Sequence, residues 1–327
     1  MAASGQGEHG DMEGAPLPER TLPGFSRAAG GSIPNDSRSA FSLLTPDLPA
    51  VPVLLSVPHA GRAYPPALLE QLRYPERTAL MLEDRHVDLL GEAVARETGA
   101  TLLIAEAPRA MLDLNRAPDD VDWSMIAGGG RAGTANSLAN RRARSGLGLV
   151  PRKLARIGEI WTRRLDPGEL RLRLDEIHVP YHAALAGALA GLHDRWGAAL
   201  LIDLHSMPPI AGQGSDKPGP HIVVGDRFGA ACGRELSALA LAHLGRTRKV
   251  AHNLPYAGGY ILDRHGAPGR NIHALQVEVC RSTYLDAEMR EVGVRFAAIA
   301  RELAGFVRAI AEEVTWMGRS SVAWAAE

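Results

Sequence analysis

Cysteine is nearly missing from this chain. Cys232 and Cys280 are the only two, too few and too far apart in sequence for a disulfide framework or a Cys-x-x-Cys metal clip. A reducing compartment is therefore expected, and a cytoplasmic location with it. The first residues show neither the basic segment nor the apolar run of a signal peptide. Nowhere do about 18 apolar residues follow one another, so no membrane span is expected. An excess of one charge is missing too. The 36 Lys and Arg residues stand against 37 Asp and Glu, which argues against a strongly basic nucleic-acid binder.

Several catalytic signatures are also absent. There is no GxxxxGK(S/T) phosphate loop and no GxSxG nucleophile elbow. Gly128-Gly-Gly130-Arg-Ala-Gly133 matches GxGxxG literally. No strand leads into it and no apolar helix follows, so the dinucleotide reading fails on context. No internal repeat is present.

What remains is an ordinary globular composition, 46% hydrophobic and 22% charged, with ample length for one large core. Residues 1–38 are rich in Gly, Ala, Ser, Pro and charge, and are expected to form a mobile leader. Residues 39–318 are expected to form a single α/β domain, and 319–327 a tail. The strongest element is Ala199-Leu-Leu-Ile-Asp-Leu-His-Ser-Met-Pro-Pro209. Its apolar start reads as a strand covered on both faces. The prolines stop it just beyond His205. In an open α/β sheet, ligands gather outside the carboxyl ends of the strands, which is where His205 falls. Val51-Pro-Val-Leu-Leu-Ser-Val-Pro-His-Ala-Gly61 repeats the theme and ends at His59. Each histidine could instead simply bond a loop, but two strands ending this way are harder to dismiss than one.

Other elements follow in order. Glu83-Asp84-Arg85-His86-Val87-Asp88 is expected to open a helix running to about Glu97, where the dipole favours its three carboxylates. Residues 101–106 read as a strand. Asn115 beside Arg116 offers an amide and a planar fork suited to a substrate carboxylate, with Asp113 able to orient the arginine; a surface ion cluster is the alternative. Residues 118–150, carrying Arg131, Arg141, Arg142 and Arg144, form a long loop. Residues 151–164 and 167–196 read as helical, with a break at Pro180. His182 is expected to play a packing or supporting role. A helix is expected from Gly229 to about Leu244. The loop 256–266 is expected to form a lid or substrate wall, with Gly259 and Arg264 as its substrate-binding residues. Leu275-Gln-Val-Glu-Val279 alternates as a strand would, and Glu278 on its own could be a solvated strand residue. A long amphipathic helix from Asp286 to Thr315 closes the pattern.

Two strand-end histidines, a carboxylate at a helix start and a later strand glutamate together suggest a zinc hydrolase, since zinc takes N and O ligands. Ser56-Val-Pro-His-Ala-Gly61, Glu83-Asp-Arg-His-Val-Asp88, Pro108-Arg-Ala-Met-Leu-Asp-Leu-Asn-Arg116, Gly146-Leu-Gly-Leu-Val-Pro-Arg152, Pro180-Tyr-His182, Ile202-Asp-Leu-His-Ser-Met207 and Gln276-Val-Glu278 resemble, in order, the N-formylglutamate amidohydrolase family. That family is similar in fold to zinc carboxypeptidases and aspartoacylase. The resemblance implies a mostly parallel mixed sheet with helices on both faces, of the zinc carboxypeptidase and phosphorylase/hydrolase-like type. It implies Zn2+ held by His59 and His205, Glu278 as general base and acid, Arg109 beside the polarised carbonyl or a second carboxylate, and Asn115 with Arg116 on a substrate carboxylate. Carboxypeptidase-type sites place a glutamate three residues after the first histidine, where this chain has Arg62. The carboxylate ligand is therefore assigned to Asp84, ahead of Glu83 and Asp88.

The expected activity is hydrolysis of an N-acylated acidic amino acid, N-formyl-L-glutamate foremost, with a small-molecule substrate and neither nucleic acid nor membrane as partner. A deacylase or carboxypeptidase-like hydrolase of other specificity is the nearest rival. A non-catalytic carboxylate binder is the more distant one, and Glu278 argues against it, because binding alone requires no proton carrier.

Overall fold

The computed structural model describes residues 21–48, 50–129, 141–211 and 219–324. Its strands are β1 (Phe25–Gly30), β2 (Phe41–Pro46), β3 (Val53–Val57), β4 (Thr101–Ala105), β5 (Lys153–Leu154), β6 (Gly158–Glu159), β7 (Ala199–Met207), β8 (Ile222–Gly225), β9 (Val250–His252) and β10 (Ile272–Cys280). The helices are α1 (Pro66–Leu69), α2 (Pro75–Leu82), α3 (Val87–Thr98), α4 (Arg141–Arg144), α5 (Pro167–Arg173), α6 (Val179–Trp196), α7 (Arg234–Leu244), α8 (Tyr260–His265) and α9 (Phe296–Trp324). Except for the small β5–β6 pair, the strands form one mixed sheet in the order β1-β2-β4-β3-β7-β10-β8-β9. Its centre, β4-β3-β7-β10, is parallel, and antiparallel pairings flank it.

Both faces of that centre are covered, which is why its strands are mostly apolar and buried, with polar side chains of β7 and β10 gathered towards their carboxyl ends. Leu55, Leu102 and Leu200 pack towards α3, α7 and α9, whereas Leu54, Leu103 and Leu201 pack towards α6 and α8. Successive side chains of a strand point to opposite faces, so neighbouring leucines serve different layers. Among the described residues no helix is long and apolar enough to cross a membrane.

Several expectations about elements need correction. β1 lies inside the stretch read as a leader, where it pairs antiparallel with β2; residues 1–20 of that stretch lie outside the described residues. The polar pattern of Phe25–Gly30 is that of an exposed edge strand, which apolar periodicity does not reveal. α9 begins ten residues later than expected and runs to Trp324, into the stretch read as a tail. Residues 151–164 contain β5 and β6 rather than a helix, because Arg156 and Gly158 both take left-handed backbone angles. Glu83 and Asp84 are not in the first turn of α3. They occupy the link after α2, and His86 at φ +58° caps α3 instead.

Pro180 does not break the long helix but loosens it. One π-helical turn, Leu174–His178, joins α5 to α6. Proline has no N–H to give to the carbonyl of residue 176, and the Ser32 amide donates to that carbonyl instead, at 3.0 Å. Most of the literal GxGxxG at 128–133, and Arg131 with it, falls on residues 130–140, outside the described residues; the rest of the stretch read as a long loop is described, and Arg141, Arg142 and Arg144 lie on α4.

Candidate active site

β3, β7 and β10 deliver the site at their carboxyl ends. β7 is longer than expected and includes His205 and Ser206, so His205 projects from a strand rather than a loop. In the parallel register with β10, Glu278 stands opposite His205 and Gln276 opposite Asp203; on the other side Ser56 of β3 stands opposite Asp203. Positions two apart share a face, so Asp203 and His205 line up on one side of β7, and Gln276 and Glu278 on the same side of β10.

His59 follows β3 by two residues and meets His205 edge-on, with ring centroids 4.7 Å apart. Asp84 reaches them from the link between α2 and α3. Its amide donates to the His59 carbonyl at 2.9 Å, which ties the two segments together. Asp84 Oδ2 lies 3.0 Å from His205 Nδ1 and 3.5 Å from His59 Nδ1. Asp84 Oδ1 is occupied elsewhere, accepting from Ser206 Oγ at 3.0 Å and facing Arg281 Nη2 at 3.4 Å. Each of the two rings turns its other nitrogen to a buried carboxylate, His59 Nε2 to Asp113 at 2.7 Å and His205 Nε2 to Asp203 at 2.7 Å.

This donor set fits a metal ion. Two imidazole Nδ1 atoms and one carboxylate oxygen lie within 4.8 Å of one another, all from buried residues. The distal nitrogens are bound to carboxylates, the arrangement that fixes the tautomer of a metal-ligating histidine and raises its basicity. Two N donors and one O donor suit zinc, with a position left open. The other two carboxylates considered in the sequence point elsewhere. Asp88 forms an ion pair with Arg62 at 2.7 Å, and Glu83 faces Arg85 at 3.2 Å.

The charges hold one another in place. Burial would raise the Asp84 carboxyl, but hydrogen bonds from His205 and His59 outweigh it and hold the group well below the usual range. Asp113 is held equally low against burial by Arg109, Arg116 and His59. Burial alone would lower His205; Asp203 and Asp84 reverse this and raise it well above an ordinary histidine. Glu278 has no such rescue. Burial pushes its carboxyl up to about 8, against the pull of His205. Gln276 Nε2 donates to Glu278 Oε1 at 2.9 Å and sets its orientation.

A cavity of about 230 Å³ opens onto these groups. Its lining includes His59, Asp84, Arg109, Asn115, Arg116, Arg142, His205, Tyr256, Gly259, Gln276, Glu278 and Arg281. All the sequence-assigned residues are thus gathered there except Arg264. That guanidinium lies over the Tyr260 ring and donates to Tyr260 Oη at 2.7 Å, and it takes no part in the lining. Asn115 lines the cavity but its amide is engaged within the wall. Nδ2 lies 3.2 Å from Asp203 Oδ2 and 3.3 Å from Gln276 Oε1, and Oδ1 accepts from the Ile261 amide at 2.9 Å. Asn115 therefore braces the site more than it faces a ligand. Arg109 donates to Asp113 Oδ2 at 2.9 Å, and Arg116 bonds the Leu147 and Asn115 carbonyls at 2.9 and 2.7 Å. The 256–259 stretch does form a wall, as expected of that loop.

Sequence reading missed several participants. Asp203 was readable in principle, since it sits two residues before His205 on the same strand face. Arg281, which bonds Ser206 Oγ, the Leu80 and Glu83 carbonyls and Asp84, follows Glu278 by three residues. Asp113 was matched to an arginine, but its closest contact is His59, 54 residues away, which no local spacing announces.

His182 does support the site from behind. Its Nε2–H donates to the Leu114 carbonyl at 3.0 Å, so its Nδ1 accepts from His265 Nε2 at 2.9 Å. His178 Nε2 donates to the Arg116 carbonyl at 3.0 Å. Burial lowers all three histidines, His265 to about 4 and His182 to about 2, which keeps them neutral. The backbone on both sides of Asn115 is thereby fixed.

Comparison with known proteins places this arrangement in context. A family model described as N-formylglutamate amidohydrolase matches residues 51–285. The N-formylglutamate deformylase of Pseudomonas aeruginosa is 32% identical over 281 residues, 85% of this chain and 95% of that protein. The Pseudomonas putida deformylase is 32% identical over 240 residues, 72% and 82% of the two chains. The crystal structure of an N-formylglutamate amidohydrolase from Ralstonia eutropha JMP134 has a TM-score of 0.75 and 34% identity, covering 84% of this chain and 98% of that one.

Proposed function

Because this chain belongs to the N-formylglutamate amidohydrolase family, we propose that it is a zinc-dependent enzyme that hydrolyses the amide of N-formyl-L-glutamate to formate and L-glutamate. The observation that carries the reading is the convergence of His59, Asp84 and His205 beside the buried Glu278, within a cavity lined by arginines. Zinc held by His59 Nδ1, His205 Nδ1 and the Asp84 carboxylate would supply Lewis-acid polarisation of the scissile carbonyl and acidify the attacking water.

The remaining chemistry belongs to the chain itself. Glu278 takes a proton from the water that attacks the formyl carbon and delivers it to the amide nitrogen as the C–N bond breaks. A carboxyl raised by burial both accepts and releases a proton near neutral pH. Arg109, held protonated by Asp113 and Asp84 against the cost of its burial, faces the reacting centre and stabilises negative charge growing on the carbonyl oxygen. Arg116 offers the remaining face of its guanidinium to a substrate carboxylate. Asp203 and Asp113 fix the two histidine rings, and Ser206 with Arg281 fix Asp84.

Formate release from N-formyl-L-glutamate tests the reading. The wild type should carry stoichiometric zinc and turn over. Glu278→Gln should keep the zinc and lose on the order of 10²–10⁴ in kcat. Full activity in Glu278→Gln, or turnover by protein free of any metal, would refute the mechanism.

A further inference from the structure

Three of the four guanidiniums that line the cavity, those of Arg109, Arg116 and Arg142, differ in how well they are neutralised. Arg109 is innermost, paired with Asp113 at 2.9 Å and felt by both Asp84 and Glu278. Arg116 comes next, 3.9 Å from the same Asp113 oxygen. Arg142 lines the cavity beyond it, with an exposed side chain that makes no hydrogen bond or ion pair among the described residues. The charges of Arg109 and Arg142 both bear on Arg116, whose own burial already disfavours its charge. One buried aspartate thus serves two arginines, and the third lines the cavity with no counter-ion among the described residues.

The backbone beneath Arg142 is held firmly. The Ala143 amide donates to Asp120 Oδ1 at 3.0 Å, and the Leu147 amide to the Arg142 carbonyl at 3.0 Å. The Leu147 carbonyl in turn accepts from Arg116 Nε, and Gly148 is packed so closely that a Cβ there would stand 2.5 Å from the Asp120 carbonyl. The backbone that carries this cation is therefore held beside Arg116, which feels its charge.

We infer that Arg142 is a specificity-determining residue that binds the side-chain carboxylate of the substrate, while Arg116 takes the α-carboxylate. This rests on the amidohydrolase reading above and deepens it. A substrate whose scissile carbonyl lies at the His59–Asp84–His205 end presents its α-carboxylate close by and its second carboxylate further out, matching the row Arg109, Arg116, Arg142. The dianion also removes the repulsion between Arg116 and Arg142, which a neutral side chain cannot do. The enzyme then selects acidic N-acyl amino acids over their neutral isosteres.

The test compares kcat/KM on N-formyl-L-glutamate and N-formyl-L-glutamine, which differ only in the side-chain carboxylate, for zinc-loaded wild type, Arg142→Gln and Arg142→Lys. A charge-assisted contact predicts a preference for the acid of about tenfold or more in the wild type. Arg142→Gln should abolish most of that preference, losing far more on the acid than on the amide, and Arg142→Lys should retain part of it. A preference unchanged in Arg142→Gln, equal losses on both substrates, or a wild type indifferent to the carboxylate would each overturn the assignment while leaving the deformylase reading intact. A wild type that hydrolyses neither compound would remove the deformylase reading, and this assignment with it.

Discussion

Lowering the pH from 7 to 5 should cost this fold stability through its buried histidines, and His265 is where the loss can be worked out. Burial, helped by the charge of Arg264, lowers its ring to about 4, with Asp203 pulling the other way. In the unfolded chain the same ring titrates near 6.5. Its folded pKa is depressed, so its contribution is fully present above about 6.5 and is lost as the pH falls towards about 4. Between those values the unfolded chain binds a proton that the folded chain refuses. Each pH unit below 6.5 costs about 1.4 kcal/mol, so reaching pH 5 costs about 2 kcal/mol from this ring alone. His265→Gln keeps an N–H for His182 Nδ1 but cannot titrate. Urea unfolding of both proteins at pH 7 and pH 5 isolates the term, because every other group is common to the two. The wild type should lose about 2 kcal/mol more than the variant over that interval. Equal losses would mean that His265 is protonated in the folded protein, and the neutral histidine relay behind Leu114 and Arg116 would be refuted.

Two further outcomes are expected. Asp203→Asn keeps the shape of a fully buried side chain but removes the carboxylate that His205 Nε2 faces at 2.7 Å, so zinc affinity measured by chelator competition should fall 10–100-fold; an unaltered affinity would show that this contact does not tune the ligand. Gly259→Ala would bring a Cβ to 2.6 Å from Asn115 Oδ1, displacing the amide that braces Asp203 and Gln276; a loss of about 1–3 kcal/mol in thermal or urea unfolding is expected, and an unchanged stability would mean that Asn115 can yield without cost.

The parts of this protein that were legible in its sequence are those governed by local rules. β3 and β7 announce themselves by the apolar runs of strands covered on both faces, with a histidine conspicuous at the end of each run, and β10 by its alternation. The ordered motifs from Ser56 to Glu278 named the family and, through it, the two histidines and the glutamate. Edge structure was less visible. β1 is exposed and polar, and β5 and β6 depend on left-handed residues at Arg156 and Gly158, neither of which leaves a periodic trace. Arg264 shows the limit of reading a loop as a whole, since folding the loop into α8 turned that side chain onto Tyr260 and away from the cavity.

Residue type and order determined which chemistry was possible here; distance determined which residues perform it. Three carboxylates at 83, 84 and 88 are equivalent in sequence, yet only Asp84 turns its carboxylate to the two histidines, while Glu83 faces Arg85 and Asp88 pairs with Arg62. Asp113 reaches His59 across 54 residues, and Arg281 reaches Asp84 across 197, contacts that the sheet order creates and no spacing predicts. The row of arginines is of the same kind. Arg109 and Arg116 come from the segment after β4 and Arg142 from α4, and only packing around Asp120 and Leu147 brings them to one cavity, with a single buried aspartate between the first two. Electrostatic energy depends on separation and burial rather than on position along the chain, so it was for the tertiary structure to decide which charges cancel and which remain for a ligand.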